Sequence, residues 1–149
     1  MMKYFSDFGN SVLLTAVIAW FVAQLLKVIL VCIKYKKIDF GRFIGSGGMP
    51  SSHSSTVMAL SVGVGLTEGF NGTMFAISLV TAMIVMYDAA GVRRAAGQQA
   101  KILNKIVEDW GKSKFSDTEQ KLKELLGHTP VEVFAGAILG IVIAVIRHL

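Results

Sequence analysis

The sequence predicts an all-α fold: a small polytopic membrane helix bundle of about four spanning helices plus amphipathic surface helices. Three observations carry that expectation. The 149 residues are 53% hydrophobic and only 17% charged, with a mean hydropathy of +0.58, whereas soluble domains carry about 25% charged residues. Four apolar runs, about 11–33, 54–69, 72–92 and 129–146, are separated by polar turns. Between the third and fourth lies an excursion, 94–126, whose apolar residues recur at helical spacing among lysines and acids. The whole chain, 1–149, is read as a single integral membrane domain.

The first run, from Ser11 to Ile33, is long enough to cross a hydrocarbon core about 30 Å thick. No small-residue cleavage site follows it, so it is expected to be a retained span rather than a removable signal peptide. Gln24 and Lys27 interrupt it. An ionisable residue inside a span is costly unless it faces protein, water or head groups, so Lys27 is a functional candidate. Snorkelling of its ammonium to the interface is the competing reading. The lone cysteine, Cys32, excludes an intramolecular disulfide and a cysteine metal cluster. It reads as a small buried hydrophobe.

The run from Ser54 to Gly69 is short and rich in Ser, Gly and Ala, the composition of a helix packed tightly inside a bundle. Glu68-Gly69-Phe70-Asn71-Gly72 supplies a turn into the third run, so the second and third form an antiparallel hairpin. In the excursion, Ala96, Leu103, Val107 and Trp110 alternate with Lys101, Lys105, Glu108 and Asp109, which predicts an amphipathic surface helix. Ser116 and Glu119 form a capping-box pattern that opens a second short helix carrying Leu122, Leu125 and Leu126 and ending at Gly127. The last run, from Thr129 to Ile146, is the final span.

An even number of crossings separates the two ends of the hairpin, so the segment before Ser54 and the segment after Val92 are expected on one membrane face. The surface excursion stays there and brings His128 with it. Lys34, Lys36, Lys37, Arg42, Arg93, Arg94, Lys101, Lys105, Lys112, Lys114, Lys121 and Lys123 fall on that face, against Lys3 and Arg147 opposite. Lysine and arginine accumulate on the cytoplasmic side, so the shared face is read as cytoplasmic and the membrane as a bacterial-type cell membrane. Even without Arg42, Arg93 and Arg94, which substrate binding would hold in place, the lysine excess remains. The net charge of +5 is therefore a topology signal. With no soluble module to carry it, a nucleic-acid partner is not expected.

Three motifs flank the apolar runs on this face. Gly47-Gly48-Met49-Pro50-Ser51-Ser52-His53 precedes a helix, and helix starts present unpaired N–H groups and partial positive charge to an anion. Ser51 and Ser52 could add hydroxyl donors and His53 could protonate a leaving oxygen. A plain capping turn, with Pro50 near the first turn and Ser51 or Ser52 as cap, explains the same letters. Arg93 and Arg94 offer guanidinium forks that match phosphate oxygens, or they anchor the span against translocation. Asp88 is expected to hold one of them. His128 and Glu132 are four apart, so on one helix the carboxylate would orient the imidazole. Thr129-Pro130-Val131-Glu132 is also a capping box with Pro at the first helical position, which would make Glu132 a helix-start device and leave His128 outside the helix.

Together Gly-Gly-Met-Pro-Ser-Ser-His-Ser, Tyr-Asp-Ala-Ala-Gly-Val-Arg-Arg with Ala-Gly-Gln-Gln-Ala and Leu103-Asn104, and Leu-Gly-His-Thr-Pro-Val-Glu-Val resemble the divergent branch of the type 2 phosphatidic acid phosphatase and vanadium haloperoxidase superfamily. The resemblance covers nearly the whole chain. It implies that His53, in a Pro-Ser-Gly-His motif with Ser52 replacing Gly, is a general acid. Arg93 or Arg94 corresponds to a phosphate-binding arginine, His128 to a nucleophile and Glu132 to its Asp partner. The sequence departs from the main pattern in two places. The excursion separates the arginines from His128, and the first phosphate-binding motif is incomplete, because Arg42 lacks a following proline and Lys27, Lys34 and Lys36 miss the usual spacing.

The expectation is a metal-independent lipid phosphate phosphatase without cofactor, working through a phosphohistidine on His128. Glu132 would hold the imidazole, and His53 would protonate the leaving alkoxide. Lys27, Arg42, Arg93, Arg94 and the Ser51 and Ser52 region would bind phosphate. Phosphatidylglycerophosphate or phosphatidic acid is the expected substrate, with a polyprenyl phosphate or diphosphate as the alternative. A non-catalytic lipid-phosphate binder or scaffold, and a metal-dependent hydrolase with His53, Asp88, His128 and Glu132 as ligands, are the other classes. The bilayer is the expected partner, and association into a homo-oligomer stays open.

Overall fold

The computed structural model describes residues 10–35, 48–111, 122 and 127–148. Five helices are described: α1 (Ser11–Tyr35), α2 (Ser52–Glu68), α3 (Thr73–Ala90), α4 (Val92–Gly111) and α5 (Pro130–His148). The stretches Ser11–Ile33, Thr73–Val107 and Pro130–His148 are long and apolar enough to cross a membrane. The second of these bends at Gly91, which separates α3 from α4. At 17 residues, α2 is the short one, and it packs in the centre against α1, α3 and α5. The predicted second surface helix, with Ser116 and Glu119, lies outside the described residues, as does Arg42.

Lipid rather than water is the solvent for this bundle, and the distribution of side-chain sizes follows from that. Large apolar residues such as Leu13, Phe21, Ile84, Phe134 and Ile138 point outward, while the interior is built from Ala16, Ala19, Ala23, Ala59, Ala82, Ala137 and Ala144. Burying a large side chain between helices gains little when the alternative is hydrocarbon, whereas small residues let backbones approach and gain dispersion contact. Gly136 and Gly140 on α5 show the effect most directly. A Cβ on Gly136 would fall on the Ser51 carbonyl, and one on Gly140 on the Ser55 carbonyl. This Gly-x-x-x-Gly face brings α5 into the most extensive helix contact in the bundle.

Polar groups in the interior are bonded across and within helices. The Ser55 hydroxyl donates to the Ala19 carbonyl at 3.2 Å, tying α2 to α1. Asn10 accepts from the Val12 and Leu13 amides at 3.1 and 3.0 Å and starts α1. The turn at Gly69 to Gly72 closes the α2–α3 hairpin, with the Gly72 amide donating to the Gly69 carbonyl at 3.2 Å. At that end of the bundle the Thr15 hydroxyl meets His148 Nε2 at 3.0 Å and accepts from Arg147 Nε at 3.1 Å. The opposite end holds the motif residues.

Candidate active site

Ser51 caps α2: its hydroxyl accepts from the Ser54 amide at 3.3 Å and from the Ser54 hydroxyl at 3.0 Å. Its own amide donates to the Glu132 carbonyl at 3.0 Å. Ser51 therefore joins the start of α2 to the start of α5, and its amide is committed to protein. Ser52 and Ser51 are both buried. Of the two sequence readings the structure has the capping turn, with Ser51 as the cap, and His53 lies in the first turn of α2. His53 is exposed.

His128 stands two residues before α5 and is only 2% exposed. Its amide donates to the Ala89 carbonyl at 3.1 Å, pinning the end of the returning segment to the last turn of α3. Gly127 makes that possible, since a Cβ there would collide with the backbone of Arg94. The His53 and His128 rings lie with centroids 6.3 Å apart, edge to face at 71°. His128 Nε2 is buried and makes no hydrogen bond among the described residues. An unpaired polar nitrogen in a protein interior costs about 1–3 kcal/mol, so its presence asks for a functional reason.

Lys27 sits against the same site. It is 1% exposed, so it does not snorkel. Its Nζ donates to Gln24 Oε1 at 2.9 Å, and its aliphatic stem lies about 3.5 Å from where a Cβ on Gly48 would stand. Its charge acts on both histidines. Arg93 Nε donates to Asp88 Oδ2 at 2.6 Å in an exposed pair, the holding contact expected of Asp88. Arg94 is exposed and contributes backbone to the Gly127 contact.

Glu132 closes the capping box at the start of α5. Its Oε2 accepts from the Thr129 amide at 2.8 Å, and its amide faces the Thr129 hydroxyl at 3.4 Å. No hydrogen bond joins the carboxylate to the His128 imidazole among the described residues. Its negative charge is nevertheless felt by that ring. Burial holds His128 below its ordinary pKa, Lys27, His53 and Arg93 push the same way, and Glu132 opposes them. Its neutral form is thereby favoured. Among the described residues no three His, Cys, Asp or Glu side chains converge as a metal set.

The structure therefore brings Ser51, Ser52, His53, Asp88, Arg93, His128 and Glu132 together from the ends of α2, α3, α4 and α5, with Lys27 reaching them from within α1. Two contributors noted in the sequence were given no role there. Gln24 holds the lysine, and its i,i+3 spacing from Lys27 on an apolar helix was the available signal. Asn104 clasps the returning chain: its amide donates to the Leu122 carbonyl, and its carbonyl accepts from the Leu122 amide, both at 2.9 Å.

A helical bundle with an apolar exterior, carrying two facing histidines beside a buried lysine and an arginine, defines an integral membrane protein with a site suited to an anion. The chain belongs to the Divergent PAP2 family, which matches it over residues 8–143. It is 43% identical over 147 residues, 92% of this chain and 93% of the relative, to the "Uncharacterized membrane protein YuiD" of Bacillus subtilis (strain 168). No solved structure matches it.

Proposed function

We propose that the protein is a membrane lipid phosphate phosphatase whose nucleophile is His128. The observation that carries this reading is the buried Nε2 of His128, which makes no hydrogen bond among the described residues, beside a second, exposed histidine and within reach of the charges of Lys27 and Arg93. Nε2 forms a bond to phosphorus as the ester P–O bond breaks, and His53 gives its proton to the departing alkoxide oxygen. Water then attacks the phosphohistidine, His53 takes up a proton from it, and inorganic phosphate leaves with His128 restored. Lys27 and Arg93 neutralise the equatorial oxygens, with the chemistry on the cytoplasmic face.

Charge stabilisation has to carry most of the rate. General acid assistance contributes about 10² to 10⁴-fold, while accelerations up to about 10²¹ are known for phosphate monoesters. Ser51 acts in this scheme through position, as the joint between α2 and α5. Glu132 acts through the helix start and through its field on His128.

The test is phosphate release from detergent-solubilised lipid phosphates in the presence of a chelator, comparing the intact protein with His53→Ala and His128→Ala. Chelator-resistant release, lost in His128→Ala and accompanied by an acid-labile phosphoryl adduct on His128 in the intact protein, is the expected result. Binding without release from any lipid phosphate would make the site a lipid-phosphate binder, and release that a chelator abolishes would make it a metal-dependent hydrolase.

A further inference from the structure

His53 and His128 stand with ring centroids 6.3 Å apart, yet their surroundings differ. His128 is buried, whereas His53, in the first turn of α2, is exposed. The charged groups that bear on the two rings come from each element around them: Lys27 from α1, Asp88 from α3, Arg93 from α4 and Glu132 from α5. Asp88 acts on His53 and Glu132 on His128, while Lys27 and Arg93 act on both. Among the described residues, two cations thus stand against two carboxylates. With both imidazoles neutral these charges balance.

That balance suits an empty site and not one that holds a phosphate monoester. A dianion between the rings brings two negative charges into a place whose own charges are already matched, and uncompensated charge beside buried groups is expensive. A proton on an imidazole relieves it. His53 is the ring to carry that proton, because an exposed imidazolium keeps part of its hydration, whereas charging His128 would bury a cation. A charge on His53 in turn opposes a second one on His128, which limits the uptake to one. We infer that the site binds its tetrahedral dianion together with one proton, taken from water onto His53, so that the ligand and the general acid are loaded in one step. In the empty site, partial burial and then Arg93 and Lys27 hold His53 below its ordinary value of 6.5, with Asp88 opposing. The free ring is therefore largely unprotonated at neutral pH, and the field of the anion reverses this. The inference rests on the reading of the site as a phosphate site and adds its control: the acid is armed only when the site is occupied, and His128 stays neutral for attack.

The probe is sulfate, a tetrahedral anion that stays doubly charged across the neutral range, with methanesulfonate as its singly charged counterpart. Calorimetric titration of each into the purified full chain in detergent, once in Tris and once in bis-Tris, gives the proton count from the difference in heat. The expected result near neutral pH is uptake of about one proton with sulfate and much less with methanesulfonate. Sulfate affinity should also weaken by up to about tenfold per pH unit as pH rises, the sign that uptake on binding requires. His53→Gln should abolish the uptake and His128→Gln should keep it. Sulfate binding without proton uptake overturns the inference, and so does uptake that survives in His53→Gln and vanishes in His128→Gln. Should either variant fail to fold, the proton count and pH slope of the wild type decide. Absence of sulfate binding overturns the inference too, while the phosphatase reading stands or falls separately on phosphate release. Methylphosphonate and decylphosphonate share a head whose P–C bond hydrolysis leaves intact, so they distinguish a lipid head from free phosphate. Tighter binding of the decyl compound with the same proton count makes a membrane amphiphile the source and equal binding makes it the free ion, and both support the coupling. A missing proton with both phosphonates overturns it.

Discussion

At the scale of single residues, Glu132 is the position where two roles can be separated by chemistry. Its carboxylate caps α5 and also lies close enough to raise the proton affinity of His128 against burial and three cationic or histidine neighbours. Glutamine preserves the capping box but removes the charge. In the proposed mechanism attack needs neutral His128, so kcat/KM is expected to fall as pH drops through its pKa, which lies below the usual value of about 6.5. Glu132→Gln should shift that acid limb to still lower pH with the thermal midpoint nearly unchanged, as read from a pH–kcat/KM profile and a melting curve in detergent. A large loss of kcat at all pH values would instead assign the carboxylate an orienting role in the substrate complex. Stability follows the same sign. Because the folded-state pKa of His128 is depressed, its contribution is complete above the unfolded value and is lost as pH falls through the folded one.

At the scale of elements, the site depends on how closely α5 approaches α2. Gly140→Leu drives a side chain into the Ser55 carbonyl and the Ala59 amide. Overpacking of this kind costs about 1–3 kcal/mol, so the variant should melt at lower temperature in detergent; an unchanged midpoint would mean that the α2–α5 contact contributes little. The clasp between α4 and the segment leading to His128 makes a different prediction. Asn104→Ala removes both bonds to Leu122, each worth about 0.5–1.5 kcal/mol net. Hydrogen exchange at the Leu122 amide should accelerate and lipid phosphate turnover should fall several-fold, while the midpoint of the bundle moves little. The exposed apolar residues Ile102, Leu103, Ile106 and Val107 on α4, interleaved with Lys101 and Lys105, suit a helix lying in the head-group layer, where apolar side chains reach acyl chains and lysines reach phosphates.

At the scale of the whole molecule, the parts legible in the sequence were those set by the bilayer. Run lengths and polar turns give the α1, α3 and α5 boundaries to within a few residues, and crossing parity puts His53, Arg93 and His128 at one end, where the structure also has them. What the letters left open are matters of packing. They did not decide between a snorkelling and a buried Lys27, because that depends on Gly48 and Gln24 lying beside it. Nor did they decide between the capping and orienting roles of Glu132, which differ only in where one carboxylate oxygen points. Sidedness is the remaining global property, and charge is its physical cause: lysines on α4 resist translocation across an energised membrane. The α2–α3 hairpin lies at the end opposite the histidines, so one exposed position at each end reports the orientation. In a Cys32→Ser background, a membrane-impermeant maleimide should label Asn71→Cys in intact cells and Lys101→Cys only after permeabilisation. The reverse pattern would put the histidine site on the outer face, where a lipid phosphate made in the cytoplasmic leaflet reaches it only after crossing the bilayer.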